Sequence, residues 1–248
     1  MKPITKEGYK FRQEICVPCY QTDVNMTLTP AGFMDLAQEI ACWAAQELGF
    51  GYDNLHIHHV AWVLSRMHIQ FGPLPVWRDY VTLDTWHKGM DGLYFLRDFC
   101  LTGPDGSTAV KATSSWVMIN EQTRHLFRPE EMQHLLEVGF EVEHAIEEPC
   151  PKLFLPKEME PAGEHVVSYS DIDLIGHTNN VRYMVWAMDC LPPEVVMQHP
   201  VKDAYINFIR ETTSGTIVQL FRQQESDSVW YVEGRVEGKT CFTVRLDF

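Results

Sequence analysis

The sequence predicts an α+β fold in which two similar halves each curl an antiparallel sheet around one helix. Two apolar segments with helical spacing, residues 30–48 and 180–191, are each preceded by a strand-like run and a polar loop. Each segment is followed by four strand-like runs, so the same order of elements occurs twice in 248 residues.

The first half begins with a strand-like run over Phe11–Pro18 and a turn-rich loop. Thr29 is a good helix N-cap, and Pro30 fits the first position of the helix that follows. Gly49 ends this helix because glycine readily adopts the backbone conformation found just beyond helix ends. The strands predicted after it are residues 61–71, 80–88, 93–102 and 107–120.

The second half restarts with a strand over 164–169 and a helix from about Asn180 to Leu191, which Pro192 and Pro193 stop. Four more strands are predicted at residues 203–210, 216–224, 229–236 and 240–248. In the last strand the alternation predicts that Phe242, Val244, Leu246 and Phe248 face inward and that Thr243, Arg245 and Asp247 face outward.

A long apolar helix inside a curled sheet is the hot-dog arrangement, and its duplication predicts a tandem double hot-dog fold. The predicted division is an N-terminal half at residues 1–130, a linker rich in Pro, Glu and His at 131–163, and a C-terminal half at 164–248.

The composition limits the classes of function. The chain is 45% hydrophobic, which allows a substantial core, and its net charge of −14 with no Lys/Arg-rich run argues against binding nucleic acid. No apolar run approaches the roughly 18 residues that span a bilayer, and the charged N-terminus does not resemble a secretory signal. The seven cysteines lack the spacing of a disulfide framework, so we expect a reducing compartment such as the cytoplasm.

The densest chemistry lies between residues 171 and 183, immediately before the second helix. This stretch contains two carboxylates (Asp171 and Asp173), the imidazole of His177 and two carboxamides (Asn179 and Asn180). Acids, a base and amide dipoles at a helix start are suited to hydrolysis of an activated acyl group. The same residue types also cap helices and close turns, and this structural explanation is preferred for Asp171 and Asn179.

Two other clusters contain residue types that bind metals. His56-x-His58-His59 lacks a carboxylate or cysteine partner at ligand spacing, and Cys16-x-x-Cys19 lacks a second pair. No metal and no cofactor are therefore expected.

The polar stretch resembles a motif of the acyl-[acyl carrier protein] thioesterases, D-x-D-x-N-x-H-x-N-N-V-[KR]-Y. The chain has Asp171-x-Asp173-x-x-x-His177-x-Asn179-Asn180-Val181-Arg182-Tyr183 at this place. Arg210-Glu211 resembles the family's later Arg-Glu pair, and the run from Trp62 to Arg66 resembles its W-V-L-[ST]-R strand. Further similar runs are Asp84-Thr85-Trp86, residues 112–118 and Glu121-x-x-Arg124, so the resemblance extends over nearly the whole chain.

The resemblance implies hydrolysis of fatty acyl-[acyl carrier protein] to free fatty acid in a bacterial cytoplasm, with Asp173, His177 and Glu211 as catalytic residues. It also implies an acyl pocket in a degenerate first half and a partner carrier protein with a phosphopantetheine-linked chain. Asn180 and Arg182 are candidates for substrate binding, and Arg66 and Arg210 for contact with the carrier. No membrane is implied, and a homodimer is a possible assembly.

The chain departs from the family pattern at two positions. Ile175 stands where the family has Asn, and Thr212 replaces a frequent Cys, which excludes a thiol nucleophile there. Two other functions stay open: an acyl-CoA thioesterase, and a non-catalytic acyl-binding hot-dog protein, which Ile175 would favour. The sequence also leaves open whether Asp173 attacks directly or activates water.

Overall fold

The computed structural model describes residues 3–127 and 140–248. It divides into two compact units, one of Met1–Met67 with Phe71–Cys150 and one of His68–Gln70 with Pro151–Phe248. Each unit contains an antiparallel sheet and one principal helix, as the sequence predicts.

The first unit is built from a sheet with strand order β1-β2-β4-β5-β6-β3. Its strands are β1 (Thr5–Glu7), β2 (Lys10–Cys16), β3 (Val60–Phe71), β4 (Tyr80–Asp91), β5 (Tyr94–Thr102) and β6 (Thr108–Asn120). Its helices are α1 (Pro30–Glu47) and the single turn α2 (Tyr52–His56).

The second unit has strand order β8-β11-β10-β9-β7. Its strands are β7 (Glu160–Val166), β8 (Asp203–Phe208), β9 (Ile217–Ser226), β10 (Val229–Val236) and β11 (Lys239–Asp247). Its helices are α3 (Asn180–Asp189) and α4 (Pro193–Gln198). The sequence did not predict β1, α2 or α4, because three to six residues are too few to show a clear period.

The principal helices begin where the sequence predicts. The Thr29 hydroxyl accepts the N–H of Gly32 at 2.9 Å, and Pro30 is the first residue of α1. In α3 the Asn179 carboxamide accepts the N–H of Val181 at 2.9 Å. Both caps satisfy an amide that the first helical turn leaves without a backbone acceptor. No helix in the described parts of the chain combines the length and apolar character needed to cross a bilayer.

The segment predicted as a linker contributes to both units. Its residues 131–139 lie outside the described residues. Residues 140–150 cover the outer face of the first sheet, where Lys88 Nζ donates to Ile146 O at 2.6 Å and Trp86 Nε1 donates to Glu143 O at 2.8 Å. The second unit begins at Pro151, and β7 begins at Glu160, four residues before the predicted start of the second half.

The outward orientation predicted for Thr243 is wrong, since this side chain is only 3% exposed. Thr243 lies between Glu233 of β10 and Asn207 of β8, which are also buried. The Asn207 carboxamide bonds Pro151 O at 3.1 Å and the N–H of Leu153 at 2.8 Å. The chain after Pro151 therefore covers a face that a simple alternation assigns to solvent.

Candidate active site

The loop before α3 is closed by the carboxylate of Asp173. Its Oδ1 accepts the N–H of Ile175 at 3.0 Å and the N–H of His177 at 3.3 Å, and its own N–H donates to His177 O at 2.9 Å. Gly176 has φ +86°, a conformation that glycine adopts without strain. Among the described residues no hydrogen bond reaches Oδ2, so one oxygen of this half-buried carboxylate is available for chemistry.

His177 and Glu211 lie beside each other although 34 residues separate them. Nδ1 of His177 is 3.7 Å from Oε2 of Glu211, and their side chains are 29% and 31% exposed. This distance is longer than a hydrogen bond but allows an ion pair when the imidazole is protonated. The structure therefore brings together two of the three residues predicted to be catalytic, next to the loop that carries the third.

A backbone connection sets this arrangement. Thr178, the residue after His177, donates its N–H to Thr212 O at 3.0 Å and its hydroxyl to the same oxygen at 3.1 Å. Thr212 is the residue after Glu211, so the two chain segments are joined directly beneath the His177–Glu211 contact.

Asp171 and Asn179 have the structural roles that the sequence indicates. Asp171 Oδ2 accepts the N–H of Ser168 at 2.8 Å and lies 2.9 Å from His165 Nε2. Burial by itself would raise the pKa of Asp171, but hydrogen bonds from His165 and Ser168 outweigh it and hold that pKa below its usual value. The Asn179 side chain is the N-cap of α3.

The residues predicted to bind substrate lie around the same helix start. Asn180 is the first residue of α3 and is half-buried, as is Arg182 two positions later. Arg210 and Glu211 line a surface depression together with Val236, Glu237, Lys239 and Cys241. Sequence reasoning missed Lys239, because no motif marks this position and only the pairing of β11 with β8, continued by the Arg210 N–H bond to Cys241 O, brings it near Glu211.

The first unit contains a loop of the same geometry. Asp23 Oδ1 accepts the N–H of Asn25 and of Thr27, both at 2.9 Å, and the Asp23 N–H donates to Thr27 O at 2.9 Å. Thr27 thus occupies the place of His177. The N–H of Leu28 donates to Pro75 O at 3.0 Å, just as the N–H of Thr178 donates to Thr212 O. Pro75 is therefore the counterpart of Thr212, and the residue before it, Leu74, is the counterpart of Glu211.

Neither of the two clusters with metal-binding residue types forms a metal site among the described residues. His56 stacks on Tyr52, and its Nδ1 lies 3.5 Å from Glu121 Oε2. Cys16 and Cys19 are exposed and free. Within residues 3–127 and 140–248, no three His, Cys, Asp or Glu side chains are grouped as metal ligands.

Comparison with protein families gives a match over each half. The family described as acyl-ACP thioesterase N-terminal domain matches residues 8–135, and acyl-ACP thioesterase C-terminal domain matches residues 156–247. The oleoyl-acyl carrier protein thioesterase 2 of Arabidopsis thaliana chloroplasts is 29% identical over 245 residues, which are 90% of this chain and 65% of that protein. The palmitoyl-acyl carrier protein thioesterase of Gossypium hirsutum chloroplasts is 28% identical over 87% of this chain and 55% of its own length. The chain thus spans less than two thirds of these relatives.

Two solved structures share the fold over nearly all of this chain. An acyl-ACP thioesterase from Bacteroides thetaiotaomicron VPI-5482 covers 97% of this chain and 98% of its own, with a TM-score of 0.80 and 24% identity. The 12:0-ACP thioesterase from Umbellularia californica covers 98% of both chains, with a TM-score of 0.87 and 20% identity. These similarities confirm the predicted tandem double hot-dog fold.

Proposed function

The chain belongs to the acyl-[acyl carrier protein] thioesterase family, and we propose that it hydrolyses the thioester of a fatty acyl chain carried by acyl carrier protein, releasing free fatty acid. The observation that carries this proposal is the 3.7 Å approach of His177 to Glu211 beside the Asp173 loop. These groups are the acid, base and carboxylate that acyl transfer to water requires.

Asp173 and Glu211 share the acid–base chemistry in the proposed mechanism. Asp173 Oδ2 either adds to the thioester carbonyl, which gives an acyl-aspartyl anhydride that water hydrolyses, or removes a proton from an attacking water. His177 positions the substrate or water, and Glu211 orients the imidazole. The thiolate of the carrier leaves in both routes and requires little protonation.

We propose Asn180 as a donor to the carbonyl oxygen as negative charge develops there. The N–H of Val181 is already bound by Asn179, which removes one candidate for this role at the helix start. The carboxamide of Asn180 makes no hydrogen bond to another described residue and sits at the first position of α3. A positioned amide donor of this kind is worth about 10²–10³-fold in rate where it contacts a developing oxyanion. Arg182, on the same helix, is proposed to contact the acidic carrier or its arm.

We assign binding of the acyl chain to the first unit, since Thr27 and Leu74 stand where the second unit has His177 and Glu211. A half without these two side chains retains the fold but lacks two of the three proposed catalytic groups, which leaves the holding of substrate as its task. A series of acyl chain lengths, assayed with substitutions of side chains on the α1 face of this unit, tests the assignment.

A comparison of carriers tests the proposed function. The same acyl chain is presented on acyl carrier protein and on coenzyme A, and the release of free thiol is measured with each. We expect kcat/KM to be higher on carrier protein by at least about tenfold, which is 1.4 kcal/mol of transition-state binding. Equal or faster turnover of the coenzyme A ester would instead indicate an acyl-CoA thioesterase. Acyl binding without release of thiol, across all chain lengths, would indicate a non-catalytic binding protein. The replacement of the family's Asn by Ile175 would then accompany the loss of activity.

We place the reaction in a bacterial cytoplasm, where carrier protein and its acyl chains are made, and we propose a homodimer as the assembly. Cell fractionation and light scattering test these two proposals.

A further inference from the structure

Three hydroxyl groups meet in a buried cluster beside His177 and Glu211. Oγ1 of Thr212 is 2.7 Å from Oγ1 of Thr178 and 2.9 Å from the hydroxyl of Tyr183, which also accepts the N–H of Thr212 at 3.2 Å. All three residues are at most 5% exposed. Burial raises the pKa of Tyr183, so the phenol stays neutral and can donate. We call Thr178, Tyr183 and Thr212 the hydroxyl cluster.

One arrangement of protons satisfies every hydroxyl in the cluster. The Tyr183 hydroxyl donates to Thr212 Oγ1, the Thr212 hydroxyl donates to Thr178 Oγ1, and the Thr178 hydroxyl donates to Thr212 O. Each hydroxyl then donates once, and the set forms a closed network around the Thr212 backbone. A fully satisfied buried network of this kind holds its members rigidly, because leaving one group unpaired costs about 1–3 kcal/mol.

The cluster adjoins both members of the His177–Glu211 pair through the chain itself. Thr178 follows His177 and Thr212 follows Glu211, so the network fixes the two backbone segments from which these side chains project. The contact between them is 3.7 Å long and partly exposed, which makes it a weak restraint of its own. The buried network therefore adds a firm connection between the two backbone segments that carry these groups.

The first unit shows that the fold does not need these hydroxyls. The N-caps Thr29 and Asn179 correspond, and each helix begins at the next residue. Phe33 is the fourth residue of α1 and Tyr183 the fourth residue of α3, so these two are counterparts. Leu28 and Pro75 are the counterparts of Thr178 and Thr212, because the same backbone hydrogen bond joins each pair. All three counterparts are buried. The same junction thus closes with apolar side chains in the half that lacks His177 and Glu211.

We propose that the hydroxyl cluster holds His177 and Glu211 in their working geometry, which makes Thr178, Tyr183 and Thr212 positioning residues for the hydrolysis. This inference rests on the proposed function. A displacement near 1 Å at a reacting group can cost about 10²-fold in rate, which sets the scale of the expected effect.

The central test replaces Thr212 with Val, which keeps the shape and removes the hydroxyl. We expect kcat to fall about 10- to 100-fold while KM changes less than about threefold, since the substitution alters the placement of catalytic groups rather than a substrate contact. Thr212→Ser restores the hydroxyl and should return kcat to within about threefold of the starting protein. Thr243→Val is the matched control, because it also removes a buried threonine hydroxyl of the second unit, and it should leave kcat unchanged.

A double-mutant cycle separates positioning from a general loss of stability. In a His177→Ala background the Thr212→Val change should lower kcat by a clearly smaller factor than in the unsubstituted protein, because one of the two groups that it positions is gone. Equal factors in both backgrounds, or an unchanged kcat in the single variant, would overturn the inference.

A second readout does not depend on turnover. The imidazole carbon–proton signal of His177 in the NMR spectrum should shift or broaden in Thr212→Val and keep its position in Thr212→Ser and Thr243→Val. An unmoved signal in Thr212→Val contradicts the positioning role. Absence of turnover in the unsubstituted protein, by contrast, contradicts the proposed function and leaves this spectroscopic test in force.

Discussion

The loops around Asp23 and Asp173 have the same backbone and different chemistry. In both, one aspartate oxygen accepts two backbone N–H groups, and a residue of positive φ, Met26 or Gly176, completes the turn. The side chains that do not hold the turn are the ones that differ. Asn25, Thr27 and Leu74 stand in the first unit where Ile175, His177 and Glu211 stand in the second.

This difference teaches that an aspartate in such a loop is not by itself a sign of catalysis. Both loops use the carboxylate to close the turn, and only the second has a histidine and a glutamate beside it. In the proposed mechanism Asp173 therefore has two functions at once, closing the turn through Oδ1 and presenting Oδ2 to the substrate. Asp23 has only the first of these functions, and it serves as an internal control for the second.

The largest expected effect separates these two functions of the aspartate. Asn at position 173 can still accept both N–H groups through its carbonyl oxygen, so Asp173→Asn should preserve the loop and lower kcat on the order of 10³-fold or more. The same change at the control position, Asp23→Asn, should leave kcat within about twofold. Steady-state thiol release and circular dichroism of both variants provide the measurement. Near-normal turnover by Asp173→Asn would remove this residue from the mechanism.

The next largest effect concerns His177 and its counterpart in the first loop, Thr27. His177→Ala should lower kcat on the order of 10²-fold, the usual contribution of a positioned acid–base group. Thr27→Ala, at the matching place in the first loop, should alter neither kcat nor KM, because the backbone N–H and C=O of Thr27 close the turn and its hydroxyl adds only a long 3.5 Å hydrogen bond to Asn25 O. A loss of kcat in the Thr27 variant as large as that in the His177 variant would show that both loops are catalytic.

A smaller effect is expected from moving one residue of the first loop into the second. Asn25 is the counterpart of Ile175, so this kind of turn accommodates an asparagine there. The N–H of Asn25 donates to Asp23 Oδ1, as the N–H of Ile175 donates to Asp173 Oδ1. Ile175→Asn supplies an additional hydrogen-bond donor beside Asp173, and we expect kcat to rise up to about tenfold, the equivalent of one net hydrogen bond. Ile175→Ala controls for the loss of the apolar side chain. A tenfold lower kcat in Ile175→Asn than in Ile175→Ala would show that this site has adapted to work without the amide.

The smallest effect is on stability and concerns Asp171, which occupies the place of Gln21 in the first unit. The pKa of Asp171 is lowered in the folded protein, so its contribution is present above the unfolded value near 3.9 and is lost as the pH falls through the folded value. Asp171→Asn should therefore lower the melting temperature at pH 7, by an amount corresponding to about 1 kcal/mol, and have a smaller effect at pH 3. Gln21→Asn is the control and should show no such dependence on pH. Calorimetric scans at both pH values test this, and a constant difference between them would contradict it.

The duplicated fold could be predicted from the sequence because the signals for its helices and strands are local. Helical spacing, the Thr29 cap and strand alternation each lie within a few residues, and the structure places these elements within a few residues of the prediction. The covering of Thr243 by residues after Pro151 was missed because alternation describes a strand and not what packs on it.

The site was only partly visible in the sequence for the same reason. Asp173 and His177 share one loop and one motif, whereas Glu211 needed the family resemblance to be connected to them. No motif marks the hydroxyl cluster as a set. Tyr183 belongs to the loop motif, but Thr178 and Thr212 are 34 residues apart and meet only through the fold. A signal for the repeated loops does exist in the sequence, since Val17 and Asp23 recur at a constant offset as Val167 and Asp173.

The segment over residues 140–150 determines where the protein can be divided for expression. Beneath it, Lys88 and Asp98 form a buried pair at 3.2 Å, and Asp98 Oδ2 accepts the N–H of Ala145 at 2.7 Å. Burial raises the pKa of Asp98, which shows how poorly this carboxylate would tolerate the loss of partners. A fragment of the first unit that stops at residue 130 would lose the contacts of residues 143–146 with Trp86, Lys88 and Asp98, so an independently expressed fragment has to extend to Cys150.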